Sequence, residues 1–235
     1  MALRLEELAK TIDHTLLGAT ATVQDAVRAC EEAREHHFAA VCVLPFAVPA
    51  AVEELRGCDV KVATVVSYPL GADSTRAKIA AVDSSIAAGA DELGVVLNVP
   101  ALLSGDFRLV RDELVALVRA VRVKSVNAGK GIVLTKAILE CPVLDDKLKR
   151  LACRITEDAG ADFVETSTGF NGSDATVRDV ELLRDCLPES VGVKASGGIT
   201  SGEEAEAMVS AGAGRIGTSH GVAVMRGFAE LRQAS

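Results

Sequence analysis

Tryptophan is absent from the 235-residue chain, tyrosine occurs once and phenylalanine six times, so aromatic packing contributes little to any core. Ala, Val, Leu and Ile must fill the interior of a chain that is 49% apolar and 25% charged, the profile of a folded globular protein. Positive charge is also scarce. The 25 Lys and Arg against 33 Asp and Glu leave a net charge of −8, which offers no basic field to nucleic acid or to an anionic membrane surface. No run approaches ~18–20 uninterrupted apolar residues, so no membrane span is expected. The start, MALRLEELAKTIDHTLL, lacks the charged opening and apolar core of a signal peptide. None of the six cysteines forms a CxxC pair, which is neither zinc-ligand spacing nor a disulfide framework. Free thiols in a reducing cytoplasm are the expectation.

What is present is alternation. Short apolar runs cover 38–45, 60–71, 91–99, 130–139, 161–170, 191–199 and 214–219, and IDHTLL at 12–17 is a weaker eighth. Between them stand amphipathic patterns such as 23–37, 107–122, 144–160 and 176–187, with apolar residues at three- and four-residue intervals. AGADE (88–92), AGADF (159–163) and AGAGR (211–215) each set a helix-ending Gly just before a strand. Strands apolar on both faces belong to parallel sheets covered by helices. Eight of them in a chain of this length, without a linker, predict one domain over 1–235 folded as a closed (β/α)8 TIM barrel. A doubly wound open sheet is the alternative.

In such a barrel the chemistry lies at the C-terminal ends of the strands, which singles out the polar residues there. These are Asp13 and Thr15, Asn98, Thr135 or Lys136, Glu165, Lys194 and Ser196, and Ser219 and His220. Asp or Thr at a loop start commonly caps a helix, but Lys or Glu inside an apolar strand needs a partner, because burying a lone charge is costly. Two Gly-rich turns, KASGGIT (194–200) and RIGTSHG (215–221), follow the seventh and eighth strands. Backbone N–H groups of Gly197, Gly198, Gly217, Thr218 and Ser219 there form a candidate phosphate site.

IDHTLL, VCVLPF, VVSYPLGADSTRAK, GADELGVVLNV, SGDF, GADFVETSTGF, GVKASGGI and RIGTSHGV stand in the order and spacing of the deoxyribose-phosphate aldolase family. The resemblance runs from Ile12 to Val224. It implies a (β/α)8 barrel and class I aldolase ancestry, with a Schiff-base Lys opening a KTSTGF segment, a second Lys in GVKASGG and an Asp in GADEID. It implies no cofactor and no metal, and a homodimer is ordinary for the scaffold. The sequence departs from the family pattern where the chemistry is. Glu165 occupies the Schiff-base position and Gly94 the position of the Asp, while Leu44, Thr200 and His220 replace Asn, Arg and Ser. Lys194, Asp13, Thr15, Gly197 and Gly198 are retained.

A carboxylate cannot form an imine, so the family mechanism is excluded at position 165. Two readings follow for a divergent lyase acting on a small phosphorylated or anionic carbonyl compound, and a third comes from another class. In the first, Lys136 is a relocated nucleophile, with Leu134 two residues before it supplying apolar surroundings, and Glu165 the acid/base. In the second, Glu165 removes a proton next to a carbonyl, Lys194 stabilises the enolate and His220 is a second acid/base group. In both, Asp13 belongs to the catalytic set, and Thr15, Thr166 and Ser196 join the glycine turns in holding substrate. The third reading is a catalytically silent relative that binds a sugar phosphate or a partner protein. Glu165 and Lys194 are expected to pair, which favours the ammonium and argues against Lys194 as nucleophile.

Overall fold

The computed structural model describes residues 3–170 and 174–234. Eight parallel strands close into a barrel in sequence order. They are β1 (Ile12–Leu16), β2 (Ala40–Val43), β3 (Lys61–Val66), β4 (Glu92–Val96), β5 (Leu134–Ile138), β6 (Phe163–Glu165), β7 (Gly192–Ser196) and β8 (Arg215–Thr218), with β8 paired back to β1. Every strand falls inside one of the eight apolar runs. The open sheet is thereby excluded.

Ten helices are described around the barrel: α1 (Leu5–Ala9), α2 (Val23–Glu35), α3 (Val48–Glu54), α4 (Thr75–Ala87), α5 (Val99–Leu103), α6 (Phe107–Asn127), α7 (Asp146–Ala159), α8 (Val177–Cys186), α9 (Gly202–Ser210) and α10 (Gly221–Ala234). Their starts are chemically marked. Thr22, Ser74, Asp106, Asp145, Thr176 and Ser201 each accept a backbone N–H of the first turn through a side-chain oxygen. Of the three AG turns, Gly89, Gly160 and Gly212 all hold positive φ, the left-handed conformation that ends a helix at little cost for Gly. The helix α4 escapes a reading by periodicity because its inner face includes Lys78, buried against Glu113 of α6 at 2.5 Å. Among the described residues no helix is long and apolar enough to cross a membrane.

The main apolar core lies between barrel and helices. The barrel interior is divided. On the β2–β3 side it holds Ala40, Cys42, Ala63 and Val65, with Leu17 and Tyr68 packed against them. Toward β1 and β4–β8 it is charged, carrying Asp13, Glu92, Lys136, Glu165 and Lys194 in buried positions and Arg215 half-buried. Parallel pairing puts Lys136 beside Gly94 and Phe163, and Glu165 beside Ile138 and Lys194.

Candidate active site

A cavity of about 260 Å³ opens at the C-terminal ends of the strands. Its walls include Thr15, Cys42, Gly94, Lys136, Glu165, Lys194, Ser196 and the turns Gly197–Thr200 and Gly217–His220. Three cations and three carboxylates meet at and below its floor. Asp13 Oδ2 lies 2.5 Å from Lys136 Nζ and 3.0 Å from Lys194 Nζ. Its Oδ1 accepts from Arg215 Nε at 2.7 Å. Glu92 takes the other side of Lys136 at 2.6 Å and receives two bonds from Arg215, at 3.2 and 3.0 Å. Glu165 Oε1 lies 3.0 Å from Lys194 Nζ and accepts from Ser196 Oγ at 2.6 Å. Lys136 and Arg215 also stand over the Phe163 ring, at 5.8 and 6.0 Å from its centre.

Buried charges of this kind persist only when paired and hydrogen-bonded, and here each is. Burial opposes ionisation of Asp13, but Lys136, Lys194 and Arg215 outweigh it and hold the carboxyl below the usual carboxylate range. Burial likewise opposes the Lys194 ammonium, but Asp13 and Glu165 outweigh it and raise the pKa above that of an ordinary lysine. Burial pushes the Cys42 thiol up to about 12. Lys194 is thus held as an ammonium, unsuited to attack on a carbonyl.

The structure brings Glu165, Lys194, Lys136 and His220 to one cavity, together with Thr15, Ser196, Gly197, Gly198, Gly217, Thr218 and Ser219. Three expectations need correction. Asp13 does not line the cavity; it lies fully buried beneath, as the hub of the ion pairs. Thr166 is buried behind the wall, where its hydroxyl donates to Ser196 O and accepts from Ser196 N, so it fastens β6 to β7. Lys136 does not sit in apolar surroundings supplied by Leu134: its ammonium is clasped by Asp13 and Glu92. The Glu165–Lys194 pair is present as expected.

Glu92 and Arg215 were not legible as site residues, although the same criterion, a charge within an apolar strand, applied to both. Tyr68 and Glu140 also escaped notice. The Tyr68 hydroxyl donates to Thr168 O at 2.9 Å, and Thr168 N donates to Glu140 Oε2 at 3.0 Å. Two side chains from different segments thereby hold the turn after β6 over the cavity. Glu140 reaches it from a left-handed backbone conformation, φ 61°. At Gly94 an added Cβ would meet Ile138 Cδ1 at 3.3 Å and Val65 Cγ1 at 3.6 Å, so the wall is close but not closed there.

Of the Glu165 carboxylate, Oε1 is engaged by both the Lys194 ammonium and the Ser196 hydroxyl. A carboxylate in the cavity wall, held by a hydroxyl and beside an ammonium, can accept a proton from a bound molecule while the ammonium faces the developing oxyanion. His220 lies at the rim, with Nδ1 3.1 Å from Ser219 Oγ.

Comparison with known proteins places these observations. The model of the DeoC/LacD family aldolases matches residues 8–233. The chain is 47% identical over 221 residues to the deoxyribose-phosphate aldolase of Caldanaerobacter subterraneus, covering 94% of this chain and 93% of that protein. Among solved structures, the aldolase QR15 superposes with a TM-score of 0.88 at 32% identity, covering 97% of this chain and 98% of that one. The tetrameric deoxyribose phosphate aldolase from Aeropyrum pernix gives 0.87 at 34% identity, covering 97% and 93%.

Proposed function

Because the chain belongs to the DeoC/LacD aldolase family, we propose that it is a divergent lyase acting on a small phosphorylated or anionic carbonyl compound through Glu165 rather than through an imine at that position. The observation that carries this reading is the Glu165–Lys194 pair at 3.0 Å in the cavity wall, with Ser196 holding the same carboxylate. The relatives' name, deoxyribose-phosphate aldolase, supports a phosphorylated sugar or sugar fragment as the substrate class. The backbone N–H groups of the Gly197–Gly198 and Gly217–Ser219 turns would receive its anionic end.

With substrate in place, the Glu165 carboxylate removes the proton next to the carbonyl, or the proton of a β-hydroxyl when a carbon–carbon bond is to break. Lys194 donates to the carbonyl oxygen and stabilises the enolate that results in either case. Ser196 and Lys194 fix Glu165 Oε1, so the base is preorganised. His220 supplies or receives the second proton at the rim. Lys136, held between Asp13 and Glu92, orients the floor and Lys194 through their shared Asp13. The clasped ammonium speaks against Lys136 as a relocated imine nucleophile, which needs a free amine.

A second reading, a silent relative that binds a sugar phosphate, is favoured by the charge balance: Lys136, Lys194 and Arg215 are matched by Asp13, Glu92 and Glu165. Proton exchange separates the two. In D2O the protein should wash deuterium into the carbon next to the carbonyl of dihydroxyacetone phosphate or acetaldehyde, followed by NMR, and Glu165→Gln should lose this by about 100-fold. Thermal stabilisation by a sugar phosphate with no exchange on any donor would leave the silent binder. A borohydride-trapped adduct on Lys136 or on Lys194 would overturn the argument against an imine at that residue.

A further inference from the structure

The cavity has two unlike halves. Its polar half is built from β6, β7 and β8, which supply Glu165, Lys194, Ser196 and the glycine turns. With eight strands closed in sequence order, β2 and β3 stand across the barrel from β6 and β7. The wall on that side is lined by Leu17, Ala63, Val65, Tyr68 and Ile138, with Tyr68 packed against both of the apolar clusters there. Its hydroxyls are already engaged. Thr15 Oγ1 donates to Asp13 O at 2.8 Å, Thr64 Oγ1 to Val43 O at 2.7 Å, and the Tyr68 hydroxyl to Thr168 O at 2.9 Å. Cys42 presents a thiol, a weak donor that burial keeps protonated. Gly94 presents only backbone between two of the apolar side chains. A Cβ there would meet Ile138 Cδ1 at 3.3 Å, Val65 Cγ1 at 3.6 Å and Thr64 O at 3.7 Å.

We propose that this wall is a subsite for an alkyl group longer than methyl, so that the substrate carries an anionic end on one side of its carbonyl and an unhydroxylated chain on the other. The inference rests on the reading of Glu165 and Lys194 given above. A carbonyl oxygen at the Lys194 ammonium, with the anionic end on the glycine turns, directs the remaining substituent across the barrel toward Ala63 and Val65. A hydroxyl arriving there gives up its water and meets no free hydroxyl donor among the described residues, whereas an alkyl group gains apolar burial. Val65, Ile138 and Gly94 thereby set specificity. The two branched side chains flank the alkyl group, and the missing side chain at 94 leaves space for its end.

The test titrates the full-length chain with 2-oxobutanoate and with 3-hydroxypyruvate, followed by protein NMR. These anionic carbonyl compounds differ only in a methyl replaced by a hydroxyl. The Kd for 2-oxobutanoate should be about tenfold the lower. Val65→Thr, which puts a hydroxyl into the wall at nearly the same volume, should reduce that preference to within about twofold. Ala63→Ser, on the same strand and facing the same cavity, serves the same purpose where Val65→Thr does not fold. Gly94→Ala should weaken 2-oxobutanoate by about tenfold and leave pyruvate, one carbon shorter, within about twofold. Equal affinities, a preference for 3-hydroxypyruvate, or a preference unchanged in the hydroxyl variants would each overturn the proposal. Proton exchange at C3 in D2O, read in the same samples, separates this inference from the proposed function. Preference without exchange upholds the subsite and overturns proton removal by Glu165, whereas exchange without preference overturns the subsite alone. Binding of neither compound, with exchange on dihydroxyacetone phosphate retained, would likewise overturn the subsite alone.

Discussion

Replacing Glu165 by lysine should convert the cavity into an imine-forming site, and the charge network gives the size of the effect. Three cations and three carboxylates now balance around Asp13. The substitution removes one of those carboxylates and puts an amine where Glu165 Oε1 lies 3.0 Å from the Lys194 ammonium. Two like charges about 4 Å apart repel by about 4 kcal/mol at an effective dielectric of about 20. That lowers the new amine by about 3 pKa units, from about 10.4 to about 7.5. At neutral pH a substantial fraction would then be a free amine, and Asp13 keeps Lys194 charged beside it. The assay is borohydride trapping with acetaldehyde across pH 6 to 11, read by intact mass and peptide mapping. The adduct should appear at position 165, absent from the parent, with a midpoint about 3 units below that of a free lysine. A midpoint near 10 would refute the electrostatic reasoning, and an adduct only on Lys136 would refute the placement. Adding Gly94→Asp, into the space beside Ile138 and Val65, should bring cleavage of deoxyribose 5-phosphate if the rest of the pocket still fits that sugar. Trapping without cleavage would show that the substrate has changed as well.

Removing one partner of the buried Lys78–Glu113 pair should be severe. Lys78→Met leaves the Glu113 carboxylate buried without its cation and should cost about 3–5 kcal/mol in urea unfolding, with no effect on cavity chemistry. Acid should act through Asp13. Its pKa in the folded chain lies below the unfolded value, so the native state binds fewer protons, and the stability it contributes above about pH 4 drains away as pH falls further. Urea midpoints between pH 3 and 7 should show that loss, and Asp13→Asn should lower the neutral midpoint while flattening the slope.

The barrel was legible in the residues because its local signals agree. Eight apolar runs, the glycines that stop helices before β4, β6 and β8, and the capping residues Thr22, Asp145 and Ser201 all act within a few positions of one another. Strand alternation also sufficed to bring Glu165, Lys194 and Ser196 to the mouth, since inward residues recur every second position. The helix α4 carries a weaker apolar pattern, because a buried charged pair interrupts its inner face.

Alternation says which way a side chain points, but not what waits for it across a closed barrel. Asp13 meets Lys136 over 123 positions and Arg215 over 202, distances in sequence that only the closing of β8 onto β1 brings to hydrogen-bonding range. That closure turned Asp13 from a cavity residue into a buried hub and Lys136 from a prospective amine into a clasped ammonium. The sequence by itself determined the strands, the helix ends and the presence of a carboxylate at position 165. The tertiary structure alone decided which charges neutralise one another, because ion pairing depends on a few ångströms of separation and burial, and neither is written into local spacing.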